Sequence, residues 1–316
     1  MFFVTLCPVM KLLLSILWLI LSAAPLWAQP NTSGFPPDSS LTAEFQMPNP
    51  CYGMPAVTYG PFIYLFGGNL PPGPTGLIER IDTRNNTIKI LPALLSPRHF
   101  SCASIVGNSA YIIGGTTSLN AFSGASAIVE RFDLLTEKVV RLPPAPERIS
   151  MTSSAVVDGK IYIARYKQSD LLIYDPATNK WSHTPQSDIM PNPKIVAKDG
   201  TIYAFSNYGD MMCQAYDVAT STWRDLPSMP SRTSGYDLTL YGDSIFMFGE
   251  ITDMTRVLRF DIKSQTWSRP VMTGFCARRL PTSCTLGDKI YVCGGKLRET
   301  GFYLSIVQVF NAAQLR

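Results

Sequence analysis

One strand pattern returns six times along this chain, at intervals of 41 to 51 residues, and a period of that size belongs to repeat architectures rather than to an ordinary layered domain. The clearest copy is Ile63-Tyr64-Leu65-Phe66-Gly67-Gly68, matched at 110–115 and 290–295 with the same closing glycine pair. Weaker copies at 161–164, 202–205 and 245–248 complete the series, so that Tyr64, Tyr111, Tyr162, Tyr203, Phe246 and Tyr291 share one repeat position. In five units a further strand runs into an Asp, followed six residues later by a large apolar residue: Asp82 to Ile88, Asp133 to Val139, Asp175 to Trp181, Asp217 to Trp223 and Asp261 to Trp267. Polar residues fill the gap, as expected for a hairpin turn. Ahead of each aromatic lies another β-run with its own turn, such as 154–157 before Asp158-Gly159. Each unit therefore reads as four antiparallel strands.

The double glycine, the Tyr and the Trp resemble the Kelch repeat, and the resemblance covers residues from about 41 to 311. It implies an all-β fold, a six-bladed Kelch-type β-propeller of four-stranded antiparallel blades. Blades three and four depart from the motif, with Arg165-Tyr166 and Ser206-Asn207 in place of the glycines, and blade five keeps only Gly249. The last unit is one strand short. The N-terminal segment 41–48 supplies it, so the sixth blade is closed by the N-terminal strand and the ring has no free edge around its circumference.

The N-terminus carries Lys11 and then the apolar run 12–21, ending in small residues, which reads as a signal peptide over 1–28. A flexible segment over 29–40 and a propeller over 41–316 follow. A secreted or periplasmic monomer with no membrane span after cleavage is the expectation. Removing 1–28 takes away Lys11 and lowers the net charge from +4 to +3, which gives no reason to expect a nucleic-acid partner. Six cysteines remain, and they allow 15 full pairings. Cys51 and Cys276, both near the starts of innermost strands in adjoining blades, are the pair proposed to lock the ring.

The resemblance also implies a binding face, where the innermost strands begin and the loops between second and third strands project. Arg98, Arg148, Arg232, Arg278 and Arg279 fall near those starts and are the ligand-binding candidates, because guanidinium groups converging on one opening offer forked donors to an anion. Tyr166 and Tyr208, at short loops, are candidates for stacking on a sugar. Long inserts at 69–76, 116–127 and 296–303 occupy consecutive blades and predict a wall beside a lower rim. Only two histidines exist, and no metal-binding motif is present, so neither a metal nor another cofactor is expected. His99, Glu250 and Asp253 are the acid–base candidates. The expected partner is a protein segment or an acidic sugar ligand; the alternative is a carbohydrate-active enzyme, since exported Kelch propellers include a sialic acid epimerase.

Overall fold

Second strands such as Phe62–Phe66 are buried over nearly their whole length, while outer strands such as Lys180–His183 expose most of theirs. A strand buried on both faces must lie inside a sheet and between sheets. The computed structural model describes residues 40–120, 123–188, 192–207, 209–272, 274–297 and 302–315. The segment read as a signal peptide, most of the 29–40 stretch and Tyr208 lie outside the described residues. Six four-stranded antiparallel sheets follow one another along the chain as the blades of a β-propeller. The inner strands are Ala56–Tyr59, Cys102–Val106, Ser153–Val157, Lys194–Lys198, Asp237–Tyr241 and Thr282–Leu286, and they line a central channel of about 340 Å³.

Leu41–Gln46 is the outermost strand of the last blade, with Leu41 opposite Phe310 and Gln46 opposite Ile306, so the ring closes as expected. The closure begins one residue earlier, where the Asn311 N–H donates to the Ser40 carbonyl at 2.7 Å.

The core sits between blades. Three of the repeat aromatics lean on a third-strand ring of the next blade: Tyr64 on Phe132, Tyr111 on Tyr174 and Tyr162 on Tyr216, with centroids 5.7, 5.9 and 6.4 Å apart. The tryptophans are half-buried on outer strands, and the indole N–H of Trp223 and of Trp267 donates to Pro185 and Pro227 carbonyls of the preceding blade, each at 3.0 Å. Around the channel, Ser104 meets Ser154 at 2.7 Å, Lys194 meets Asp237 at 3.0 Å and Thr239 meets Thr285 at 2.8 Å, each across a blade boundary.

The glycine pair is a close-approach device. Gly67 has φ +60°, and a Cβ there would lie 2.6 Å from the Arg98 carbonyl oxygen, so only glycine lets the second strand end against the lead-in of the next blade. Where the glycines are missing in blade four, a polar side chain does the joining, as Asn207 accepts from the Gly235 N–H at 2.8 Å; Arg165 of blade three instead ion-pairs with Glu147, ahead of its own blade, and Asp170, within it, at 2.5 and 3.1 Å.

The lead-in residues whose carbonyls receive those glycine N–H groups include Cys51 and Arg98. In blade two the Arg98 side chain turns inward to the Glu130 carboxylate at 2.5 Å, with further bonds to the Ser96 and Ile112 carbonyls. Blade one has Glu79 at the position of Glu130 but Cys51 at that of Arg98, so Glu79 lies buried without an arginine. Burial pushes its carboxyl up to about 7, against a hydrogen bond from Asn49 that pulls it down. The native state thus holds this proton more tightly than the unfolded chain does. The stabilisation this provides is complete below pH 4.5 and is lost as the pH rises through about 7, a fall of roughly 3 kcal/mol. Urea unfolding of the wild type and of Glu79→Gln at pH 4.5 and pH 8 checks this. The variant should lack that part of the fall, and equal pH dependence in both proteins would refute it.

The expected Cys51–Cys276 disulfide is absent. All six cysteines within the described residues are free thiols, because Cys51 Sγ turns into the blade toward the Gly67 carbonyl and Cys276 Sγ toward the Ala277 carbonyl. Burial pushes Cys51, Cys213 and Cys293 up to about 12 and raises Cys102 and Cys284 as well. A thiol-specific chromophore added to the native protein should therefore react at Cys276 alone among these six, and at the others only after unfolding. Rapid labelling of a second site in the folded state would contradict the packing.

Candidate functional site

Every lead-in turns sharply before its inner strand, and the turn uses one left-handed residue per blade: Gly53, Phe100, Met151, Asn192, Gly235 and Leu280, with φ between +51° and +72°. These six positions ring the upper mouth of the channel. Above them opens a bowl of about 350 Å³, on the face carrying the loops between second and third strands. Its lining includes Phe100, Met151, Ile251 and Leu280 as an apolar floor, with Leu119 at the rim. Arg279, Lys296 and Tyr52 stand on one side.

Arg279 and Lys296 are paired backbone to backbone, with N–H to carbonyl bonds of 3.0 and 2.9 Å in the two directions. This places two cations together. Among the described residues neither has a carboxylate partner, and Arg279 Nε is buried without any hydrogen-bond partner. Lys296 Nζ lies 4.6 Å over the Tyr52 ring, and burial, reinforced by the Arg279 charge, pulls its pKa down. Two like charges held together, half-buried and unpaired, make a site that an anion would relieve. Beside them Asn69 donates to the hydroxyls of Tyr52 at 2.8 Å and Tyr303 at 3.2 Å.

The five arginines proposed from sequence divide by register. Arg98 and Arg278 do not present themselves to a ligand; they are 1% and 0% exposed, and the terminal guanidinium nitrogens of both bond to groups inside the blades. Arg278 reaches the Cys276, Val292, Gly294 and Ile306 carbonyls and the Gln308 side chain, which in turn donates to Glu44 at 2.9 Å. Arg148 and Arg232, one residue before the equivalent position, are exposed and donate to the Ala125 and Gly209 loop carbonyls. Arg279 alone of the five lines the bowl. Tyr166 is half-buried with Lys167 Nζ 5.3 Å over its ring, and it does not line the bowl.

The acid–base candidates lie away from the bowl. His99 is fully buried beneath the bowl between Tyr52 and Phe100, with Nε2 2.9 Å from the Ser118 carbonyl, and burial lowers its pKa. Glu250 is 1% exposed and accepts from the Thr252 N–H and hydroxyl and the Asp253 N–H, with Arg256 at 3.3 Å. Asp253 is held by Thr255, Arg269 and Arg256 and its pKa is lowered. None of the three lines the bowl, and no carboxylate does among the described residues. Of the long inserts, those of blades two and six bring Leu119, Asn120 and Lys296 to the bowl.

Sequence reasoning missed Lys296, Tyr52, Phe100, Met151 and Leu280. A signal was available: aligning the lead-ins on Arg98 and Arg278 puts Phe100 and Leu280 two residues on, at one repeat position.

A family model described as the Kelch motif matches residues 97–146. The chain is 26% identical over 230 residues to the Kelch-like protein terF of Aspergillus terreus, covering 63% of this chain and 50% of that protein. It is 27% identical over 245 residues to Kelch-like protein 25 of Xenopus tropicalis, covering 69% and 40%, and 25% identical over 231 residues to Kelch-like protein 34 of Homo sapiens, covering 65% and 35%. The matched region thus spans half or less of the length of these relatives. No helix among the described residues is long and apolar enough to cross a membrane. With six four-stranded blades built on a repeating Tyr and Gly-Gly strand, the chain is a six-bladed β-propeller that carries a Kelch motif at 97–146 and is similar to Kelch-like proteins.

Proposed function

We propose that the chain is a protein-interaction module whose bowl receives a segment carrying a carboxylate. The observation that supports this is the Arg279–Lys296 pair, two cations without a carboxylate partner among the described residues, standing over an apolar floor in an open cavity. A carboxylate seated between them relieves their repulsion and supplies the missing acceptor to Arg279 Nε, while Leu119 at the rim and Ile251 in the floor give apolar area to the flanking chain. Hydrolytic or epimerising chemistry finds no support, since among the described residues the titratable side chains facing the bowl are Tyr52, Lys194, Arg279 and Lys296, and Lys194 is paired with Asp237.

The test is fluorescence-polarisation binding of a positional-scanning library of acetylated hexapeptide amides to the full chain. Asp or Glu should be enriched at one position, and binding should weaken with added salt. Free sialic acid and glucuronate serve as competitors that separate a peptide ligand from an acidic sugar. Absence of any acidic preference would sink the proposal.

A further inference from the structure

Three of the six left-handed turn residues are not the type such a turn favours. Phe100, Met151 and Leu280 adopt φ of +53°, +51° and +54°, where a side chain costs about 1–2 kcal/mol relative to the right-handed conformation. The same turn is made by Gly53 and Gly235 in blades one and five and by Asn192 in blade four, residues that tolerate it. Each large residue touches the smaller turn residue of an adjoining blade. Phe100 lies against Gly53, where a Cβ would meet its ring at 3.1 Å; Leu280 leans on Gly235; and the Asn192 amide meets Met151 Sδ at 3.9 Å. The three large side chains thus form an apolar collar between bowl and channel, and Phe100 and Leu280 line both cavities. All three remain partly exposed, so their strain is not offset by full burial. Turning the chain does not require them, and strain retained at a cavity floor marks a position held for contact.

We propose that this collar is a side-chain receptor. It takes one aliphatic or aromatic side chain of a protein segment whose neighbouring carboxylate sits on Arg279 and Lys296. The inference rests on the carboxylate-binding role of the bowl and adds the residue that must stand beside the acid. Charge complementarity orients the segment: the cations stand on the side of blade six, and the collar lies next to them, since Leu280 follows Arg279 directly. The expected motif is an acidic residue adjacent to Leu, Ile or Phe.

The same hexapeptide library, bound to the full chain and to Phe100→Gly, Leu280→Gly and Leu280→Asn, tests it. The wild type should prefer a large apolar residue beside the acid by about tenfold or more over Gly or Ser. Each collar variant should keep the acidic preference and lose most of the apolar one. Its melting temperature should fall little, because the introduced residue suits the backbone. Leu280→Asn, copying what blade four already carries, serves where a glycine variant loses its fold. An acidic preference with no apolar preference beside it in the wild type, or an apolar preference surviving in all three variants, overturns the collar and leaves the carboxylate site standing. No acidic preference at all overturns both.

Discussion

Arg98→Ala should unfold the propeller about 10 °C below the wild type, although the residue lies beside the binding face and was a ligand candidate from sequence. Its guanidinium is 1% exposed and bonds the Glu130 carboxylate, itself nearly buried, while other donors reach the Ser96 and Ile112 carbonyls. Removing it leaves a buried carboxylate with only Ser96 donating to it, and breaking a buried pair from one side costs about 3–5 kcal/mol. For a domain of this size each kcal/mol moves the midpoint by roughly 2–4 °C. Replacing both partners, as Arg98→Met with Glu130→Leu, should recover much of the loss, since no charge is then stranded. Calorimetry on the single and double variants measures this; a single variant melting within 2–3 °C of the wild type would show that the pair is not what holds blade two.

Lys296→Glu with Arg279→Glu should leave the fold near its original stability and abolish binding of acidic peptides by about a hundredfold or more. The two cations repel one another and have no carboxylate partner among the described residues, so replacing them breaks no ion pair among those residues. A bound carboxylate, in contrast, would meet two negative charges, and like-charge contact in an interface costs several kcal/mol, each 1.4 kcal/mol being tenfold in affinity. The neutral variant Lys296→Gln separates the effects: relief of repulsion should hold or slightly raise the melting temperature while affinity falls. Titration with the best acidic hexapeptide, alongside thermal unfolding, reads both quantities. Undiminished binding in the reversed variant would move the site elsewhere.

The opposite fates of Arg98 and Arg279 show why the ring was readable and its binding site was not. Repeat aromatics, glycine pairs and Asp turns recur at fixed offsets, and each has a single local role, so six blades and their closure by the segment 41–48 could be deduced. A side chain's direction has no such local marker. Arg278 and Arg279 are neighbours in sequence, yet one is fully buried against backbone carbonyls and the other lines the bowl, because successive residues of an extended chain point to opposite sides.

Glu250 and His99 illustrate a second limit. Both residue types suggest acid–base chemistry, but Glu250 closes its own loop by accepting from Thr252 and Asp253, and His99 fills a space beneath Tyr52 and Phe100. Burial and hydrogen-bond satisfaction are collective properties of the packed state, and no spacing encodes them.

By itself the sequence determined the repeat, the blade count, the closing strand and the face on which the loops gather, because period and turn chemistry are local and survive even in the blades that lack glycines. Only the tertiary structure decided which cations lack a carboxylate partner among the described residues, that the six described thiols stay free and that three strained side chains line one bowl over the channel. Those outcomes depend on contacts between blades, where residues far apart in the chain compete for the same partners.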